Sequence, residues 1–333
     1  MPDIKKFMDK SLSAVQRGAK SFNETVAPKI GKAVNDATES AGKAIADGSD
    51  KIASVGKNAK DTVMNQLDVN HDGNVDIVDI ITLGLKTPGI KVNREQFLKK
   101  ELTIHYEEET VKKAIAKTPV AAKIPAEDID KIADAVIQYE RYFVSGISTA
   151  LGAPGGAAMV ATIPADIIQY YGYMLRAAQK LMYLYGFPQI VSEDDETQID
   201  SATMNLLVVA MGVMFGVAGA NNAVKAMAKA LGNGVEKQLM RRALTKGTIY
   251  PIVKSIAKWF GVRMTKEVFS GFFKKAIPVV GGVIGGGITY VSFKPCCERL
   301  KESLKDTKLS NVNHKETKEE SAIYEAIVQE IEE

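Results

Sequence analysis

Apolar residues return at helical spacing in several parts of the chain, and the most regular stretch is residues 159–187. Pro164 suits the first turn of a helix, where its missing N–H group is not needed. Gly186, closely followed by a proline, predicts the end of this helix. Because few charged side chains interrupt the pattern, we expect the helix to lie in a protein core or against a membrane. Its apolar and aromatic positions are Ile167, Tyr170, Tyr171, Met174, Ala178, Leu181, Met182 and Tyr185.

Three stretches contain no Asp, Glu, Lys or Arg: residues 142–165, 201–224 and 276–293. The first two are long enough for a helix to span a bilayer, which takes about 20 apolar residues. The first is interrupted by the turn-forming sequence ALGAPGGA and is predicted to form two helices. The second is the best candidate for a membrane span. Buried core helices are the interpretation that we favour for all three.

The first 63 residues carry a weakly apolar stripe that repeats every eleven residues. Eleven residues make three turns of about 3.67 residues each, so the stripe stays on one side of a nearly straight helix. The stripe is mostly Ala and Val, and such a segment buries too little apolar surface to fold alone. We expect it to form a helix on a lipid surface or a partner helix, or else to be a solvated, partly disordered leader.

Residues 68–79, with the sequence DVNHDGNVDIVD, carry the clearest chemical signal. Calcium takes six or more oxygen ligands from a sharply turning loop, and Gly73 at the sixth position permits that turn. Val75 occupies the usual apolar position. The pattern resembles an EF-hand loop and is similar to a dockerin repeat. The predicted metal ligands are Asp68, Asn70, Asp72, Asn74 through its main-chain carbonyl, Asp76 and Asp79.

The twelfth loop position is Asp79, whereas an EF-hand usually has a Glu that binds calcium through both oxygens. The shorter side chain is expected to lower the affinity for calcium or to admit magnesium. No second loop is visible in the sequence, so we expect the unit to pack on the helical domain. The alternative is an Asx-rich turn that joins two helices without a metal, and we favour metal binding.

The formal net charge of +3 is unevenly distributed. Residues 222–275 contain twelve Lys or Arg and two Glu, a net of +10, whereas residues 298–333 have a net of −4. The basic stretch predicts an anionic partner, and its interleaved apolar residues favour an anionic membrane surface over nucleic acid. A docked helix with a solvated lysine face is the alternative. The predicted membrane contacts are Lys254, Lys258, Trp259, Lys274 and Lys275.

Only two cysteines are present, and Cys296 and Cys297 are adjacent, so no disulfide framework is predicted. The N-terminal sequence has no apolar signal region, which predicts a cytoplasmic protein; export without a leader is the alternative. Three scattered histidines do not suggest a nucleophile–histidine–acid set. We therefore predict no catalytic residue and no bound cofactor other than calcium or magnesium.

The run GAPGGAAMVATIPADIIQYYGYMLRAAQKLMYLYGF resembles the central signature of the EcsC family, and KKAIPVVGGVIGGGITY resembles its second signature. The resemblance covers about residues 95–305 and implies an all-helical domain. It implies no catalytic residues. The positions that match the family motif are Gly155, Gly156, Pro164, Asp166, Tyr170, Arg176, Gln179, Tyr183 and Gly186.

Together these features predict an all-α protein in four segments: a leader (1–60), an EF-hand-like unit (61–90), an EcsC-like helical domain (91–305) and a charged tail (306–333). The predicted function is a non-enzymatic calcium-binding protein that associates peripherally with anionic membrane surfaces or a membrane protein. One alternative is a membrane-inserting effector in which residues 201–224 and 276–293 form the inserting pair. Another is a hydrolase of unknown substrate.

Overall fold

The computed structural model describes residues 67–69, 71, 73, 75–152, 158–191, 201–233, 251–260 and 280–332. These residues form helices joined by turns and loops, with no β-strand among them, which confirms the predicted all-α class. The predicted leader lies outside the described residues. The described helices are, in order, α1 (Ile77–Lys86), α2 (Arg94–Leu102), α3 (Glu108–Ala116), α4 (Ala126–Gly152), α5 (Ala158–Leu184), α6 (Ser201–Met214), α7 (Ala220–Gly232), α8 (251–260), α9 (Val280–Lys305) and α10 (Lys318–Glu332).

The chain divides into two compact units. The described residues of the first unit are those up to residue 73, with 138–152, 158–170 and 280–291. The second unit contains the described parts of 75–137, 171–264 and 292–333. Residues 75–90, predicted within the metal unit, and the predicted tail therefore both group with helices of the second unit. The four predicted segment boundaries themselves stay predictions.

The second half of α5 forms the centre of the second unit. Met174, Leu175, Ala178 and Leu181 are all completely buried, as the apolar pattern on nearly every face of this helix predicts for a core helix. The helix ends as predicted at Gly186, whose φ of 95° few other residues adopt. There the Phe187 N–H donates to the Met182 carbonyl at 2.9 Å, which closes the last turn.

The uncharged stretch 201–224 is two helices, which differs from the single span considered above. Helix α6 ends at Met214 and α7 begins at Ala220, with Gly216 and Gly219 at φ values of 70° and 83° between them. Residues Leu206 to Met211 are buried against protein. Across the described part of the chain, no helix combines the length and apolarity required to span a membrane.

Helix α1 crosses α5 at close range because both helices have a glycine at the crossing. A Cβ atom on Gly84 would lie 3.0 Å from the Leu175 Cδ1 atom and 3.3 Å from the Gly172 Cα atom. On Gly172, a Cβ atom would lie 3.3 Å from two side-chain atoms of Ile90. Helix α1 also packs against α6. The helix that follows the predicted metal loop is thus built into the core of the second unit.

The C-terminal helix α10 packs on α7. Ile323 and Ile327 provide its buried apolar face. The Lys225 ammonium group lies 2.6 Å from an oxygen of Asp306, and that of Lys229 lies 2.6 Å from an oxygen of Glu316. Two lysines of the basic stretch therefore have anionic partners within the same chain.

Candidate functional site

The first half of the predicted metal loop turns sharply at two residues. His71 and Gly73, at loop positions four and six, have positive φ values of 57° and 84°. Histidine is among the residues that adopt this conformation more often than most, and glycine adopts it freely. The Gly73 N–H donates to the Asp68 Oδ2 atom at 2.9 Å, so the first carboxylate holds the turn from inside.

The second half of the loop passes directly into α1. Asp76 is the N-cap of this helix, and its Oδ1 atom accepts from the N–H groups of Val78 and Asp79. In return the Asp79 Oδ2 atom accepts from the Asp76 N–H at 2.9 Å, which completes a capping box. Val75 is buried, as the apolar loop position predicts. Each of these contacts uses one of the two oxygens of a carboxylate.

Asp79 is a buried carboxylate with only 2% of its surface exposed. The neighbouring residues Ile77, Ile80 and Ile81 of α1 are also fully shielded from solvent. Burying a carboxylate is unfavourable unless hydrogen bonds or a cation compensate for the lost hydration. The hydrogen bond from the Asp76 N–H compensates in part for the lost hydration of Asp79. Asp79 is loop position twelve, and a cation bound by the loop would compensate further.

Asn70, Asp72 and Asn74 lie outside the described residues, so half of the predicted ligands have no described position. Within the part that the structure describes, no three His, Cys, Asp or Glu side chains are grouped as a metal site. The structure therefore describes the local conformation around Asp68, Asp76 and Asp79 separately. It does not bring these three carboxylates together as a metal-holding group.

The basic helix α8 turns its apolar face inward, as its spacing predicts. Ile256 and Phe260 are buried, whereas Lys254 and Lys258 are exposed. Trp259 is half-buried, and its ring centroid lies 5.8 Å from that of Phe215 and 5.1 Å from that of Phe260. The two lysines are available to solvent, whereas the tryptophan is partly used in an aromatic cluster. Lys274 and Lys275 lie outside the described residues.

Two residues of the predicted family motif, Gln179 and Tyr183, bind the main chain around residue 92. The Gln179 side chain is completely buried. Its Oε1 atom accepts from the Val92 N–H, and its Nε2 atom donates to the Ile90 carbonyl, both at 3.1 Å. The Tyr183 hydroxyl donates to the Val92 carbonyl at 3.2 Å. These two polar side chains hold a connecting segment in place, which is a structural role.

The remaining motif residues are less informative. Tyr170 is half-buried, and the Arg176 guanidinium carbon lies 5.6 Å from the centre of the Tyr173 ring. Helix α5 already begins at Ala158, so Pro164 is its seventh residue and does not lie in the first turn, where the sequence predicts it. The side chains of Pro164 and Asp166 are not among those described, and Gly155 and Gly156 are outside the described residues.

Arg94 is an important structural residue that sequence reasoning missed. Its Nε atom donates to the Phe187 carbonyl at 2.9 Å, and its terminal nitrogens donate to the carbonyls of Ile115 and Lys117 at 2.7 and 2.9 Å. A positive charge near the end of α3 is favourable for the helix dipole. Arg94 is the first residue of α2, where the helix dipole favours a negative charge. A positive charge at this position is the sequence signal that Arg94 has a partner outside its own helix.

His314, within the predicted charged tail, is buried between two carboxylates. Its Nδ1 atom lies 2.9 Å from an Asp306 oxygen, and its Nε2 atom lies 3.1 Å from a Glu320 oxygen. Hydrogen bonds from His314 and Lys225 lower the pKa of Asp306. The contacts hold the end of the chain against α7.

Cys296 and Cys297 are both buried, and we expect them to react slowly with thiol reagents in the native protein. Burial raises the pKa of Cys296 from 9.0 to about 11. At pH 8 this shift leaves about 100-fold less of the reactive thiolate. The measurement is the rate of thiol labelling at pH 8 in the native protein and in guanidinium chloride. Native labelling as fast as that of the unfolded chain would contradict the prediction.

Comparison with known proteins gives no match: no family model fits the sequence, and no curated protein or solved structure is similar to it. The resemblance to the EcsC family stays a prediction.

Proposed function

We propose that this chain is a non-enzymatic calcium-binding protein whose metal loop is residues 68–79. The observation that carries the proposal is the local conformation of this loop. Left-handed residues occur at positions four and six, and the carboxylate at position one is bonded to the glycine N–H. The sequence pattern of oxygen ligands at alternate positions supports the same assignment.

The capping box suits a metal site because it orients two of the proposed ligands. Asp76 and Asp79 each use one oxygen to bond the N-terminus of α1, which fixes the rotamers of both side chains. In our proposal both carboxylates are ligands of the cation. With Asp at position twelve, the site takes calcium with lowered affinity or magnesium.

Calcium should raise the midpoint of thermal unfolding of the full-length chain. A ligand that binds only the folded state stabilises it by about 2.7 kcal/mol at 100 times its Kd. Binding is measured by calorimetry, and stability by thermal unfolding with calcium, magnesium or a chelator. No heat of binding and no shift in the midpoint with either metal would overturn the proposal.

Asp79→Asn is expected to weaken calcium binding by about 100-fold, because the amide keeps the acceptor for the Asp76 N–H but loses the charge that binds the cation. Glu127→Gln, at an exposed position of α4, removes an equal charge elsewhere and serves as the control. Equal calcium affinity in the two variants would place the metal at another site.

We further propose that the protein associates with anionic membranes. The exposed lysines of α8, Lys254 and Lys258, support this second proposal. A basic residue near an anionic surface contributes about 1 kcal/mol. In vesicle flotation, the double variant Lys254→Glu with Lys258→Glu should bind phosphatidylserine vesicles more weakly than wild type. Wild-type protein that does not float with these vesicles would contradict the proposed membrane association.

The alternatives have distinct readouts. Release of a trapped dye would identify a membrane-inserting effector. Hydrolysis of a lipid or peptide substrate would identify an enzyme.

A further inference from the structure

The first unit carries an exposed surface rich in aromatic side chains. Tyr139, Tyr142 and Phe143 occupy one face of α4, and Tyr290 and Val291 lie on α9. We call these five residues the aromatic patch. Tyr142 is 58% exposed and Val291 is 68% exposed, and the other three are half-buried. Exposed large apolar side chains that cluster on one face indicate an interaction surface.

The patch is held together by direct contacts. The ring centroids of Tyr142 and Tyr290 are 5.6 Å apart, and those of Tyr139 and Phe143 are 6.1 Å apart. The Arg141 guanidinium lies 3.4 Å from the centre of the Tyr290 ring, and its Nε atom donates to the Tyr290 carbonyl at 2.6 Å. Because these contacts restrict the side chains of the patch before binding, the patch loses less conformational entropy when it binds a partner.

The patch lies where charged sequence gives way to uncharged sequence. On α4, Arg141 is the last charged residue before the uncharged stretch 142–165. On α9, the uncharged stretch ends just after the patch, at residue 293. The part of α4 from residue 142 to its end has eleven residues, or about 16 Å at 1.5 Å each. That is about half of the 30 Å hydrocarbon thickness.

Two hydrogen bonds involve residues next to the patch in sequence, Thr289 and Val144, and join helices of the first unit. The Thr289 hydroxyl donates to the Ser148 hydroxyl at 3.1 Å, which joins α9 to α4. The Gln169 Nε2 atom donates to the Val144 carbonyl at 3.4 Å, which joins α5 to α4. Polar groups paired in this way can leave water at a lower cost. Asp166, one turn before Gln169, is the charged residue at which the uncharged stretch ends on α5.

We propose that the aromatic patch is where this protein enters one leaflet of a lipid bilayer. The tyrosines lie at the level of the headgroups, as aromatic residues with one polar end do at membrane interfaces. Arg141 contacts lipid phosphates from the edge of the patch, and Val291 enters the acyl region. The uncharged helix ends reach partway across the bilayer. This inference rests on the proposed membrane association and adds to the lysines of α8 a second surface that contacts lipid.

Flotation with two matched double variants tests the inference. Tyr142→Ser with Val291→Ser removes the two most exposed apolar residues of the patch. Ile104→Ser with Val312→Ser is the control, because these residues are 43% and 73% exposed and lie outside the patch. Full-length proteins are mixed with vesicles of equal parts phosphatidylcholine and phosphatidylserine. We expect the patch variant to bind at least tenfold more weakly than wild type and the control to bind like wild type. All three should unfold at the same temperature without vesicles.

A second measurement reports directly on the location of the patch. Tyr142→Cys and Val312→Cys are each labelled with an environment-sensitive fluorophore; the native cysteines are buried. We expect vesicles to shift the emission of the label at residue 142 to shorter wavelength, with no shift at residue 312. Wild-type protein that does not float would overturn the membrane association and this inference together. If wild type floats, equal binding of the patch variant, or no shift at residue 142, would overturn this inference alone.

Discussion

Replacing Gln179 by leucine is expected to lower the free energy of unfolding by about 2–6 kcal/mol. Leucine fills a similar volume but provides neither the acceptor for the Val92 N–H nor the donor for the Ile90 carbonyl. Both main-chain groups are then left without these bonds in a buried site, and each unpaired group costs about 1–3 kcal/mol. The measurement is chemical denaturation, with the metal content of the protein held constant.

Two further variants make this prediction specific. Gln96→Leu, at an exposed position of α2, should change the stability by less than about 0.5 kcal/mol. In Gln179→Glu, an ionised carboxylate would face the carbonyls of Ile90 and Leu175, which raises the pKa of the new side chain in the folded state. This destabilisation is present at neutral pH and is relieved as the pH falls through the raised pKa. Gln179→Leu with wild-type stability, or Gln179→Glu without this pH dependence, would contradict the role assigned to the amide.

The sequence pattern predicts the elements that depend on local spacing. The helical period of residues 159–187 and the stop at Gly186 correspond to the observed α5 and its left-handed end. The inward face of α8 follows in the same way from the spacing of Ile256 and Phe260. In each case the information lies within one helix.

Contacts between distant residues are not visible in such patterns. Gln179 binds Val92 across 87 positions of the chain, and Lys225 pairs with Asp306 across 81. The net charge of the basic stretch predicts an anionic partner for the stretch, and its residues Lys225 and Lys229 pair with residues of the C-terminal segment. A charge count indicates that the stretch has an anionic partner. The fold shows that, for Lys225 and Lys229, the partner is a carboxylate of the same chain.

The break in the uncharged stretch 201–224 illustrates a second limit. The uncharged sequence predicts one continuous helix, although Gly216 and Gly219 lie within it. Their positive φ values show the turn, and burial of both flanking helices stabilises it. For the candidate metal loop, the sequence supplies the spacing of the oxygen atoms. The capping box between Asp76 and Asp79 adds how two of those carboxylates are oriented.

Replacing Gly84 by leucine is expected to destabilise the protein by about 3 kcal/mol, although leucine is the better helix former. A Cβ atom at this position would lie 3.3 Å from the Gly172 main chain, so α1 and α5 must separate. Gly146→Leu is the control: it is also in a helix, but a Cβ atom there meets nothing within 4 Å, so this change should be neutral or slightly stabilising. Because α1 begins at the loop, Gly84→Leu should also weaken calcium binding, measured by calorimetry below the unfolding temperature. Equal stability of the two leucine variants would show that the α1–α5 crossing is not close-packed in solution.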